Sequence, residues 1–173
     1  ELKNSRAYLI GVGDYAHEPW RLKTPENDAR DMAKLLEGQG FKSELLLNPT
    51  LEAFTSFFEK IKAENTDPNG RLLIYYAGHG FQSDSAYGLK GFLVPADALP
   101  GDDATMVPMI ALQQFIKMLP TRHVLLILDC CFAGTFKFSL TRSESDDATH
   151  LDKQLSKQYF DMFTQYPARQ VLV

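Results

Sequence analysis

Apolar residues along this chain fall into short continuous runs set between stretches of helical spacing. The runs cover residues 7–11, 72–76 and 124–128, and residues 41–47 read as a further strand. Runs this short, bounded by Gly, Pro and Asn, read as buried strands. Between the first two, Thr24-Pro25-Glu26-Asn27-Asp28 reads as a helix start. Thr stands as N-cap, Pro at the first helical position and acids in the first turn. Met32, Leu35 and Leu36 give that helix its apolar spacing, and Gly38 and Gly40 end it. Asn48-Pro49-Thr50 opens a second helix, with Leu51, Phe54, Phe57, Phe58 and Ile61 on one side. Asp67-Pro68-Asn69-Gly70 is a turn. Residues 87–94 predict a hairpin or an extra strand ending at Pro95. Met109, Leu112, Phe115, Ile116 and Leu119 space as a third helix, stopped by Pro120. Residues 137–150 are polar and acidic and predict a loop. Leu151, Leu155 and Met162 suggest a helix over 151–166, and 169–173 reads as a strand just beginning. Alternating strands and helices of this kind predict an α/β fold, with a mostly parallel sheet and helices on both faces.

Length and composition narrow the class. At 173 residues and 45% hydrophobic content, the chain can build one core, so residues 1–173 read as one domain. The net charge is −4 with no basic block, which argues against nucleic acid as a partner. No apolar run reaches the length of a membrane span, and residues 1–4 do not resemble a signal peptide. The only two cysteines are adjacent, which excludes a disulfide framework. A thiol that must stay reduced predicts the cytoplasm.

The chemistry concentrates in two strings. Tyr75-Tyr76-Ala77-Gly78-His79-Gly80 and Leu128-Asp129-Cys130-Cys131-Phe132-Ala133-Gly134 each follow a predicted strand and end in a glycine-containing turn. Parallel strands end on one sheet edge, where open α/β sheets bind ligands. An imidazole and a thiol can therefore meet there as base and nucleophile. His79 lies between two glycines, which let the backbone bend and approach a ligand. His17, His123 and His150 have no such context and read as surface or structural. If the strand continues through Cys131, alternation puts Asp129 and Cys131 on one face and Cys130 on the other. Cys130 then reads as a buried small residue and Cys131 as the nucleophile. Adjacent cysteines have the wrong spacing for a metal site. Asp129 suits either capping of nearby N–H groups or recognition of a cation beside the thiol. Asp28 suits either the first turn of a helix or a binding role. Gly11-Val12-Gly13 lacks the remaining residues of a nucleotide-binding loop and reads as a turn.

The paired strings resemble the metacaspase and caspase-like cysteine peptidases of clan CD, family C14. The resemblance covers nearly the whole chain, and a His about fifty residues before the Cys fits it. It implies a caspase-like three-layer sandwich, of which this chain is the large-subunit portion. His79 would be the catalytic base and Cys131 the nucleophile. The Gly80 and Cys131 N–H groups would form the oxyanion hole. Asp129 would line the pocket for the residue before the scissile bond. Leu22-Lys23-Thr24-Pro25-Glu26-Asn27-Asp28 is similar to a family stretch that makes Asp28 a second acidic pocket residue. The implied substrate is a polypeptide with Arg or Lys at that position. Pro25 stands at a common family Cys, and Ala77 where a Ser is frequent. No cofactor is required; some relatives depend on calcium, but no carboxylate cluster here compels a site.

Two other readings compete. A catalytically inactive caspase-like scaffold would normally lose the Cys or the His. An unrelated α/β hydrolase would want a turn such as Gly-x-Cys-x-Gly. The resemblance also predicts that residues 169–173 begin the small segment, with further strands or a small-subunit partner completing the pocket. A sheet ending at 173 would expose an unpaired apolar edge. The chain is therefore expected to be a fragment or a processing product. Regulatory domains or proteins are further expected partners. Arg142, then Lys137, are the candidate self-cleavage points in the loop.

Overall fold

The computed structural model describes residues 4–85, 88–130 and 169–172. Five strands form a parallel sheet in the order β2-β1-β3-β7-β8. They are β1 (Ser5–Gly11), β2 (Lys42–Leu47), β3 (Arg71–Ala77), β7 (His123–Asp129) and β8 (Arg169–Leu172). Helix α1 (Pro25–Gly38) joins β1 to β2, α2 (Leu51–Glu64) joins β2 to β3, and α3 (Met109–Met118) precedes β7. A second, antiparallel sheet holds β4 (Gly80–Ser85), β5 (Gly88–Leu93) and β6 (Val107–Pro108). The chain passes from β1 to β2 on one side and returns to β3 on the other. That reversal creates a switch point at the carboxyl ends of β1 and β3, the usual place for a ligand crevice.

Strand alternation builds two cores. Ala7, Leu9, Leu73, Tyr75 and Ala77 face Ala29, Ala33 and Leu36 of α1. Tyr8, Ile10, Leu72, Ile74, Tyr76, Leu126 and Leu128 face Phe54, Phe57 and Ile61 of α2 and Leu112 and Ile116 of α3. Helices thus cover both faces, as the sequence predicts. Thr50 caps α2 by accepting from the Ala53 N–H at 3.2 Å. Thr24 sits at the N-cap of α1 but makes no side-chain cap bond. Leu35 is exposed, because α1 buries its narrow alanine stripe instead. Gly40, at φ +81°, follows the end of α1 in the left-handed region. Of the hairpin or extra strand expected over 87–94, the structure has one strand, β5, which pairs antiparallel with β4, a strand the sequence reading left unassigned. The predicted strand at 169–173 is β8, which pairs in parallel with β7. The predicted loop at 137–150 and helix at 151–166 lie outside the described residues.

Candidate active site

β3 and β7 end in register, with Ala77 opposite Asp129. One step on, the Gly78 N–H donates to the Asp129 carbonyl at 3.3 Å. His79 and Cys130 therefore leave the sheet at one edge. Gly78 is required by space: a Cβ there would lie 2.8 Å from Tyr76 Oη and 2.9 Å from Tyr15 Oη.

The half-buried His79 ring is held on one nitrogen. Its Nε2 lies 2.8 Å from the Trp20 carbonyl oxygen. A carbonyl only accepts, so Nε2 carries the proton and the neutral ring keeps its basic lone pair on Nδ1. The rings of Tyr15 and Trp20 lie 5.0 and 6.4 Å from the imidazole, centroid to centroid. A short 3-10 turn, Glu18–Trp20, presents the Trp20 carbonyl. Ala16 N–H to the Ala96 carbonyl (2.8 Å) and Leu22 N–H to the Gly13 carbonyl (2.9 Å) fix that loop.

The His79 backbone is held as well. Its N–H donates to Tyr15 Oη at 2.8 Å. Its carbonyl accepts from Tyr76 Oη at 2.8 Å and from the Val94 N–H at 3.2 Å. Gly80 is the ladder partner of Leu93. With Val94 bonded to His79, the Gly80–Leu93 pair is of the non-hydrogen-bonded type, so the Gly80 N–H points away from β5.

The two acids converge from different elements. Asp129 ends β7, and Asp28 lies in the first turn of α1 above the same sheet face. Tyr75 Oη donates to Asp129 Oδ2 across 3.4 Å. Burial, then the nearby charges of Asp129 and Asp28, push the Tyr75 phenol upward. Both carboxylates are exposed, and among the described residues neither belongs to an ion pair. Among the described residues the Asp129 side chain bonds to the Tyr75 hydroxyl and caps no backbone N–H group. The turn glycines let the start of α1 approach the end of β1 closely. A Cβ on Gly11 would lie 2.6 Å from the Pro25 carbonyl oxygen, and one on Gly13 2.7 Å from the Leu22 carbonyl. Asn48 ties the corner by accepting from the Gly13 and Asp14 N–H groups and donating to Glu26 at 2.8 Å.

Cys130 is partly buried against the α2–α3 core and acts electrostatically on the Tyr15 and Tyr76 phenols. It lies on the face away from Asp129, as alternation predicts. Cys131, Lys137 and Arg142 lie outside the described residues. His17 packs edge-on against Trp20, centroids 5.1 Å apart, and His123 is half-buried at the far end of β7. The sequence reading missed the Trp20 carbonyl and the Tyr15 and Tyr76 hydroxyls. Their signal was faint: a tyrosine two residues beyond the Gly11-Val12-Gly13 turn, and a tyrosine pair entering the His79 turn. Among the described residues no group of three or more His, Cys, Asp or Glu side chains could hold a metal ion. No helix among them is long and apolar enough to cross a membrane.

A parallel sheet flanked by helices, with His and Asp at its carboxyl edge, matches the caspase domain of the C14 peptidases over residues 4–169. The chain belongs to this family of clan CD cysteine peptidases. Its fold is similar to that of a Geobacter sulfurreducens protein of known crystal structure, with a TM-score of 0.58 and 20% identity. The likeness covers 74% of this chain and 50% of that one, so the chain spans half that protein's length. No curated protein matches it.

Proposed function

We propose that this domain is a cysteine endopeptidase of the metacaspase-like branch that cleaves after Arg or Lys. The observation that carries the reading is one sheet edge holding both a tethered imidazole and two unpaired carboxylates. In this reading Cys131 follows Cys130 onto the Asp129 face and is the nucleophile. His79 Nδ1 takes the thiol proton, and the Trp20 carbonyl keeps the resulting imidazolium oriented. The thiolate adds to the peptide carbonyl, and the oxyanion is held by the Gly80 and Cys131 N–H groups, each such donor typically worth about 3 kcal/mol. His79 returns the proton to the leaving amine, and water hydrolyses the thioester. Asp129 and Asp28 bind the substrate cation, whose charge also eases formation of a thiolate beside Asp129. Further strands beyond β8 complete the substrate pocket, and cleavage at Arg142, or secondarily Lys137, serves self-processing.

The test is labelling with an Arg-bearing acyloxymethyl ketone, read by peptide mapping. Label is expected on Cys131, is lost in Cys131→Ala and His79→Ala, and survives in Cys130→Ala. Label on Cys130 instead would reverse the face assignment. No label on a folded protein would support the inactive scaffold.

A further inference from the structure

Two buried phenols hold the backbone of His79, one at its N–H and one at its carbonyl. The His79 N–H donates to Tyr15 Oη at 2.8 Å. Tyr76 Oη donates to the His79 carbonyl at 2.8 Å and accepts from the Val94 N–H at 3.3 Å. Tyr15 thus accepts from the His79 N–H, while Tyr76 donates to the His79 carbonyl. Gly78 passes beneath both oxygens with no room for a side chain.

We propose that Tyr15 and Tyr76 are positioning residues that set the two peptide planes around His79 and so aim the Gly80 N–H as an oxyanion donor. The proposal rests on the peptidase reading above. The carbonyl of His79 and the N–H of Gly80 belong to one planar trans peptide and point in opposite directions. Holding that carbonyl inward on Tyr76 and Val94 therefore turns the Gly80 N–H outward, away from β5. The Tyr15 bond fixes the preceding peptide, and with it the backbone from which the imidazole reaches the Trp20 carbonyl. Burial pushes the Tyr15 phenol up to about 12 and raises the Tyr76 phenol well above its ordinary value, so both stay protonated at any working pH. Tyr15 and Tyr76 are each 1% exposed, so water does not replace the lost hydroxyls in a Phe variant.

The split between two reactions of Cys131 tests this. Peptide hydrolysis needs an oxyanion donor, whereas alkylation by iodoacetamide needs only the thiolate. In Tyr76→Phe, kcat on an Arg-containing peptide should fall at least about tenfold, given that deleting a donor outright costs about 100-fold or more. KM and the Cys131 alkylation rate, followed by peptide mapping, should stay within about twofold of the parent. A folded Tyr76→Phe with unchanged kcat, or with hydrolysis and alkylation reduced in equal proportion, overturns the proposal. Should Tyr76→Phe not fold, Tyr15→Phe carries the test, with a kcat loss of at least about tenfold expected and an unchanged kcat refuting it. A parent protein that neither hydrolyses nor is labelled overturns the peptidase reading and the clamp with it. An active parent matched by its Phe variants overturns the clamp alone.

Discussion

Asp129 and Asp28 are two exposed carboxylates that share the neighbourhood of the Tyr75 hydroxyl and lack a cationic partner among the described residues. Like charges held together by separate elements repel, and an arriving cation relieves that repulsion. A hydrogen bond to a charged group contributes about 1.5–3 kcal/mol, and truncating one partner of a pair that substrate covers removes most of it. Asp129→Asn should therefore lower kcat/KM for an Arg substrate by roughly tenfold to 100-fold. Asp28→Asn should act in the same direction but less, since Tyr75 is bonded to Asp129 and not to Asp28. The charge itself is isolated by a matched substrate with citrulline in place of Arg. The Asp129→Asn loss should vanish on citrulline; an equal loss on both substrates would show that Asp129 shapes the site without reading charge.

At the scale of elements, the contact between β1 and the start of α1 sets the distance between the acids. The Pro25 carbonyl that a Gly11 Cβ would strike is backbone, so the helix has to move rather than a rotamer. Overpacking of this kind costs about 1–3 kcal/mol. Gly11→Ala should lower the urea midpoint accordingly and weaken Arg selectivity by displacing Asp28. Gly38→Ala is the control: it lies in α1 with open space where its Cβ would stand, and helical Gly→Ala gains about 0.5–1 kcal/mol. A lower midpoint in both would show that the loss does not arise from the β1–α1 contact. The sequence made β1, β3 and β7 legible because each holds a continuous apolar run, buried on both faces in β1 and β3 and fully buried on one face in β7. The helices were legible from spacing, except that Leu35 outweighed the alanine stripe that α1 buries. β4 escaped because Gln82-Ser83-Asp84-Ser85 offers no apolar alternation, and its pairing is set by β5. In the site, His79, Gly80, Asp28 and Asp129 announced themselves by residue type beside turns. The Trp20 carbonyl could not, since a backbone group has no residue signature. Tyr15 and Tyr76 are core residues with their polar tips put to use.

Across the whole molecule, phenols are buried at both ends of the sheet. Tyr8, near the amino-terminal end, donates to Glu64 at 2.7 Å and accepts from Asn65 at 3.0 Å, beside the Arg6–Glu64 ion pair. Tyr15 and Tyr76 occupy the carboxyl edge. Burial above all pushes Tyr8 and Tyr15 up to about 12, from an ordinary 10.0, and raises Tyr76 as well. In the unfolded chain these phenols lose their protons near pH 10, while the folded chain keeps them. The unfolded state then binds fewer protons, so stability falls as pH rises. The contribution is complete below pH 10 and is lost as pH climbs through about 12, the value to which Tyr8 and Tyr15 are raised. Each retained phenolic proton adds up to about 1.4 kcal/mol of loss per pH unit in that window. Urea unfolding followed from about pH 9 to about pH 11 should show a midpoint that declines only above the ordinary phenol range. Tyr8→Phe should be less steep than the parent at the alkaline end, since it removes one such proton without touching the His79 ring. Equal slopes for parent and Tyr8→Phe would assign the alkaline loss to other groups.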